Sequence, residues 1–406
     1  MSDFMMFHPG AEMMKETNWF VGSENSHRVA RAILKYGPIS RTSLASMQGL
    51  SLGAVSRIAS DLIHEGVVEE SLGNDAELMQ SAHDNPADMN VNRRGRPQTG
   101  LQVKADGHTF VGVHVQHGNV EMVAVDALCQ VVAPTKSALL KASSLGDVCH
   151  QIGILLSEYV VGISPRPTKI ALSLHGLVSS GRSSSNAGGF ESDQAVDCVN
   201  MLRDSCGIES ILVDDLDSLL VYQEWFGTGP KVSRLAAVMI GADVSFSTFE
   251  NGNLVSPEVG MGNAIGHIPL DSTGPRCASG HQGCSQCLTC DSIAEEYSHI
   301  IGKVCSYAEL EADVHAGIAQ ARRFLDRIGV RVGILLATIA TFALPDELIV
   351  GGAVASLLNR NSDSIQRGIN WFRNGNSSEL HFEIVDTSAG ILARAAAAEG
   401  IVRYLG

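Results

Sequence analysis

The sequence is short of positive charge and of long uncharged runs, and each shortage excludes something. Its 29 Lys and Arg against 44 Asp and Glu give a net charge of −15, which rules out a uniformly basic nucleic-acid coat. Any DNA contact must come from a local patch. The longest apolar run that could bear on a membrane is 332–344, 13 residues ending at Pro345-Asp346, too short to span a bilayer. The first residues, with Asp3, His8 and Glu12 among methionines, lack the basic and apolar stretches of a signal peptide. A cytoplasmic chain with no membrane insertion is therefore expected.

What is present is a globular balance of 45% hydrophobic and 18% charged residues over 406 positions. At about 150 residues per domain this suggests two or three domains. Cysteines are nine, an odd number. Cys129, Cys149, Cys198, Cys206 and Cys305 are scattered, whereas Cys277, Cys284, Cys287 and Cys290 crowd into 14 residues. That pattern favours a metal site in a reducing compartment over a disulfide framework.

Apolar periodicity stops between Ser71 and Gly100, where Asn, Asp, Gly and Pro accumulate as in a linker. The expected layout is an arm over 1–22, a winged helix-turn-helix over 23–75 and a linker over 76–100. About 300 residues of alternating strand-like and helix-like segments follow, an α/β pattern. Strands are expected over 109–115, 120–125, 169–174, 210–213, 235–240 and 347–350, and helices over 145–159, 218–225, 292–298, 318–342 and 389–404. Two stretches, 110–125 and 236–254, each read as strand–turn–strand, which suits a two-lobed body with a cleft.

In the small unit, a helix from Ser26 stops at Gly37-Pro38. Ser40 can cap a second, Gly49 supplies a turn, and Ser51 can cap a third that ends at Gly66. In the third helix Leu52, Val55, Ala59 and Leu62 form one stripe, leaving Ala54, Ser56, Arg57 and Ser60 outward. Val67 to Glu70 reads as a wing strand. This arrangement can lay its third helix in a major groove. From Ser26 to Ser60 there are five cations (Arg28, Arg31, Lys35, Arg41, Arg57) and no carboxylate, so one face suits phosphates. The segment Arg93-Arg94-Gly95-Arg96-Pro97 adds an extended basic stretch of the kind narrow minor grooves attract. Arg41, Arg94 and Arg96 are thus expected at the backbone or minor groove, and Ala54, Ser56, Arg57 and Ser60 on the reading helix.

Gly37-Pro38-Ile39-Ser40-Arg41, Ala54-Val55-Ser56-Arg57, the Arg-Gly-Arg-Pro linker and the motifs below together resemble the ROK family of transcriptional regulators and sugar kinases, from about Ser23 to the end. The resemblance implies a winged helix followed by an actin-like, sugar-kinase-like body. Its lobes would span 101–225, completed by a C-terminal helix over 389–406, and 226–388 with a zinc-type loop at 266–290. Gly266-His267, Cys277-Ala278-Ser279-Gly280 and Gly283-Cys284 resemble the family's zinc motif of one His and three Cys, with Ser279 in place of the middle cysteine. His267, Cys277, Cys284 and Cys287 are the expected ligands of a structural Zn2+, with Cys290 or His281 as substitutes for the last.

Asp215, within Val213-Asp214-Asp215, resembles the family's catalytic base, which in regulators hydrogen-bonds the sugar. Asp214, Asp215, His267 and His175 are the expected effector contacts. Asp214, Asp215 and Asp217 also suit a helix start. Three departures argue against phosphoryl transfer. His114 and Gln116 stand in the first phosphate turn, and Asp243 puts a carboxylate where triphosphate would lie. Two family glutamates at the sugar site are Ala264 and Gln286. The expected protein is therefore a non-enzymatic repressor of carbohydrate-related genes. As a homodimer or homotetramer it would read double-stranded DNA at a pseudo-palindromic operator, under a sugar, a sugar phosphate or a protein partner. A sugar kinase with an appended DNA-binding head is the competing expectation.

Overall fold

The computed structural model describes residues 19–71, 99–116, 118–141, 144–174, 192–227, 232–250, 252–255, 264–359, 362–373 and 379–406. Contacts divide the chain into two units, Met1–Lys104 with Ile401–Gly406, and Ala105–Gly400.

The smaller unit is built by local signals. Helix α1 (Glu24–Tyr36) starts where the Ser23 hydroxyl accepts the Ser26 N–H, and it buries Val29, Ala30, Ala32, Ile33 and Leu34. Helix α2 (Arg41–Gln48) is capped by Ser40 and stopped by Gly49 at φ +64°, a left-handed conformation that suits glycine. Helix α3 (Leu52–His64) is capped by Ser51 and buries Val55, Ala59 and Leu62. Leu52 does not share that stripe. It is 53% exposed, because the first residue of α3 lies before the helix reaches the core.

Strands β1 (Ile39–Ser40), β2 (Val68–Ser71) and β3 (Gly100–Val103) form an antiparallel sheet in the order β1-β3-β2. This corrects the expected boundaries. Residues 100–103 are the second strand of the wing rather than the end of the linker and the start of the large domain. Glu69 pairs with Gln102 and Val68 with Val103, so the unit closes at Lys104. The end of the expected arm is also built in: the Trp19 N–H donates to the Tyr404 carbonyl and the two rings stack, while Phe20 stacks on His27.

The larger unit holds two five-stranded sheets of the same plan. One runs β6-β5-β4-β7-β8, from β4 (Thr109–Gln116), β5 (Asn119–Asp126), β6 (Lys136–Leu139), β7 (Lys169–Leu174) and β8 (Glu209–Val213). The other runs β11-β10-β9-β12-β13, from β9 (Arg234–Ile240), β10 (Val244–Glu250), β11 (Asn253–Val255), β12 (Glu347–Gly351) and β13 (Phe382–Ile384). In each, three antiparallel strands are extended by two parallel ones. The fold is thus α/β, a winged helix-turn-helix with a two-lobed, sugar-kinase-like body.

Helices α4 (Leu145–Val161) and α5 (Ser192–Cys206) pack together beside the first sheet. A disulfide joins them through Cys149 and Cys198, two cysteines whose scattered placement pointed to no partner. Helix α6 (Asp215–Phe226) follows β8. Helices α7 (Cys290–Ile301), α8 (Tyr307–His315), α9 (Ala319–Ala343), α10 (Ala353–Leu358) and α11 (Ser362–Phe372) belong to the second lobe. Helix α9 contains all but the last residue of the apolar run 332–344 and buries Val332, Leu335, Leu336 and Ile339 in the core. Among the described residues no helix is long and apolar enough to cross a membrane. Helix α12 (Ala389–Leu405) lies on the first sheet so closely that a Cβ on Gly112 would collide with the Ala393 carbonyl.

Candidate functional sites

On α3, Arg57 and Ser60 are exposed, while Ala54 and Ser56 are half-buried. The Ser60 hydroxyl donates to the Ser56 carbonyl at 3.0 Å, one turn back along the helix. Arg57 makes no ion pair among the described residues and projects its charge outward. Arg41 does not: its Nη2 lies 2.7 Å from Glu70 Oε1 on the wing strand, so this cation braces α2 against the sheet. Arg94 and Arg96 lie outside the described residues.

The loop 264–290 is a ribbon held by bridges between Pro269 and Cys284 and between Arg276 and Gln282. The Leu270 and Asp271 N–H groups both donate to the Gly283 carbonyl, and the Cys277 N–H donates to the His281 carbonyl. Gly283 has φ +54°, and a Cβ there would collide with the Asp271 carbonyl, so only glycine fits. This folding gathers His267, Cys277, His281 and Cys284, whose ligand atoms all lie within 4.8 Å of one another.

A zinc ion held tetrahedrally about 2.0–2.1 Å from nitrogen and about 2.3 Å from sulfur would set two nitrogens about 3.3 Å apart and a nitrogen and a sulfur about 3.6 Å apart. Here His267 Nδ1 lies 3.1 Å from His281 Nδ1 and 3.6 Å from Cys284 Sγ, and Cys277 Sγ lies 3.8 Å from each imidazole. The donor set fits one ion. Burial works to raise the Cys277 thiol, yet hydrogen bonds from the His281 backbone, the Cys284 side chain and the Ser279 and Gly280 backbone bring it below the ordinary thiol value.

The fourth position therefore falls to His281 in place of the expected Cys287. Cys287 sits in a 3-10 turn, Ser285–Leu288, packed into the apolar core beside Leu288, and burial pushes its thiol up to about 12. Cys290 opens α7, its N–H donating to the Gly241 carbonyl, and its thiol is likewise raised to about 12 by burial. Neither joins the cluster. Ser279 lies in the turn between Arg276 and Gln282.

The carboxylates of α6 divide their work. Asp214 is the N-cap, its Oδ1 accepting the N–H groups of Leu216 and Asp217. Asp215 is 8% exposed and faces His114 on β4, with Nδ1 to Oδ1 at 3.4 Å, while Ser173 Oγ lies 3.3 Å from the same nitrogen.

Asp217 accepts the Ser247 hydroxyl at 2.6 Å, and Ser218 donates to Glu399 at 2.6 Å. Ser247 and Glu399 carried no local signal in the sequence. Asp243 lies in the turn between β9 and β10, where its carbonyl accepts the Gly241 N–H. Gly352 has φ +94°, and its N–H donates to Thr387 Oγ1. His175 lies outside the described residues.

A family model described as "ROK family" matches residues 152–400. The DNA-binding transcriptional repressor Mlc of Escherichia coli (strain K12) is 21% identical over 345 residues, covering 82% of this chain and 81% of the relative. Among solved structures, a ROK family transcriptional regulator described as a homolog of the E. coli Mlc protein superposes with a TM-score of 0.71 at 19% identity, over 94% of this chain and 96% of that one. A ROK hexokinase from Thermus thermophilus superposes with a TM-score of 0.57 at 17% identity. It covers 72% of this chain and 99% of the hexokinase.

Proposed function

Because this chain belongs to the ROK family, we propose that it is a sequence-specific DNA-binding transcriptional regulator, a repressor of carbohydrate-related genes that acts in the cytoplasm. The observation that carries the reading is the head: a winged helix whose α3 exposes Arg57 and Ser60, within a stretch from Ser26 to Ser60 that has five cations and no carboxylate. The likeness to Mlc, described as a repressor, supports the same reading, and so does a regulator structure that spans the chain where the hexokinase spans only part.

A homodimer or homotetramer would bring two heads to a pseudo-palindromic operator, with α3 at base edges and Arg94 and Arg96 in the minor groove. Arg41, tied to Glu70, would act by holding α2 rather than by reaching phosphate. A sugar or sugar phosphate bound between the lobes, near Asp215, would shift the heads by its differential affinity for two arrangements. Gln286 puts a neutral amide where the resemblance has a carboxylate, and this weaker acceptor favours an effector other than an ordinary hexose.

Zn2+ held by His267, Cys277, His281 and Cys284 would be structural: four protein ligands close its shell and fix the two arms of the loop. Phosphoryl transfer is not proposed, since His114 and Gln116 on β4 and Asp243 in the β9–β10 turn stand where the resemblance places the phosphate-binding segments. The test is a mobility-shift titration with duplexes selected by the chain from a randomised pool. Arg57→Ala should weaken binding by about 1–3 kcal/mol if Arg57 pairs with a base. Unchanged affinity would remove Arg57 from the interface. Turnover of ATP with a monosaccharide would replace the regulator reading with a kinase.

A further inference from the structure

None of the four metal-site residues is on α9, yet α9 supplies a buried cation to the loop that carries all four. Arg331 is 3% exposed. Its Nε and Nη2 lie 2.9 and 2.8 Å from Asp271 Oδ2, and its Nη1 and Nη2 lie 2.6 and 3.1 Å from Glu296 on α7. Among the described residues the Asp271 pair is the one ion pair that the loop 264–290 makes with a helix.

Asp271 is fixed at every polar atom. Its Oδ2 meets Arg331, and its Oδ1 accepts the N–H and hydroxyl of Thr273 at 2.9 and 2.7 Å. Its own N–H donates to the Gly283 carbonyl at 3.0 Å, and its carbonyl accepts the Gly274 N–H at 2.9 Å. Gly283 is pressed against it too closely for a Cβ and is followed directly by Cys284.

From this chain of contacts we propose that Arg331 is the positioning residue of the metal site. Its guanidinium sets Asp271, and Asp271, through Gly283, sets where Cys284 Sγ meets His267, Cys277 and His281. A lysine cannot reproduce this, because one ammonium cannot span two carboxylates in the fixed fork that a guanidinium offers. Glu296 serves as the internal control. It shares the guanidinium and also pairs with Arg327 at 2.9 Å, and among the described residues it has no ion pair with the loop itself.

The proposal rests on the metal reading above, so the experiment separates the two. Zinc affinity of the full-length chain is measured by competition with a chromophoric chelator, alongside the rise in Tm that zinc produces. Asp271→Asn and Arg331→Lys, each with all four ligands intact, should weaken zinc binding by about 10–100-fold, the range seen when a group supporting a ligand is lost. The zinc-dependent rise in Tm should shrink accordingly. Glu296→Gln should lower the Tm of the zinc-free chain and leave zinc affinity within about threefold of wild type.

Should Asp271→Asn destroy folding, Arg331→Lys decides alone. Wild-type affinity in a folded Asp271→Asn or Arg331→Lys chain overturns the proposal. So does an equal loss in Glu296→Gln, which would make the network a general support of the fold. Failure of the metal reading itself shows earlier, as a wild-type chain that takes up no zinc.

Discussion

The metal loop and the turns around Asp215 both depart from the family pattern, and they differ in what the departure did. In the loop, a cysteine position is Ser279, yet His281 two residues on brings a nitrogen to the same point. Around the other site, His114 stands on β4 and packs on Asp215, and Asp243 puts a carboxylate in the turn between β9 and β10. A metal site is defined by donor atoms converging on a point, so any side chain that reaches the point can serve. A phosphate cradle is defined by backbone left bare, and no neighbouring residue can supply the absence of a side chain.

The sharpest way to break this comparison is to remove a ligand from the site said to survive. Cys284→Ser should cost roughly 1000-fold or more in zinc affinity, read by elemental analysis and chelator competition. Retained stoichiometric zinc would show that the four groups are not the ligands. The next effect belongs to the other site. His114→Ala should lower urea-denaturation stability by about 2–4 kcal/mol, because it empties a fully buried position and takes a partner from Asp215. A neutral result would mean that the imidazole is not part of the packing.

A smaller gain is expected from Ser279→Cys, which offers a third thiolate in competition with His281. Zinc affinity should rise by about tenfold or less, since a softer ligand replaces one already adequate. A fall would show that the turn cannot bring residue 279 inward. The smallest effect is the most telling for the phosphate turns: saturating Mg-ATP should leave Tm unchanged, because only a bound ligand adds stability. A clear rise would contradict the loss of the cradle.

Features set by neighbours in the chain were legible. Ser40 and Ser51 accept N–H groups three residues on, and Gly49 ends α2, because caps are chosen within one turn, whereas α1 begins two residues before the expected Ser26, at a Ser23 cap that was not anticipated. Strand β7 occupies the residues expected, and β4, β5, β8, β9 and β12 lie within one residue of expectation, since each is an apolar run bounded by polar or turn residues. Features set across space were not legible. Strand β3 takes its identity from pairing with β2 across the non-periodic stretch between them, so its four residues read as linker and body. The Cys149–Cys198 link spans 49 positions, with nothing local to mark it.

In the candidate site, the loop and three of its four candidate ligands were readable from the resemblance to the family's zinc motif, whereas the fourth depended on orientation. Cys287 repeats the three-residue thiol spacing but turns into the core, and His281 comes in because the Cys277–His281 turn places it opposite. Arg331 left no trace at all, since its partner Asp271 is 60 positions away.

The most direct test of the account is to pass sheared genomic DNA over the purified zinc-loaded chain at moderate salt and sequence what is retained. Enrichment of a small set of fragments sharing an inverted repeat, abolished by excess duplex of that repeat and weakened by Arg57→Ala, is the predicted result. Retention indistinguishable from the input pool, with no motif at any salt concentration, would contradict it.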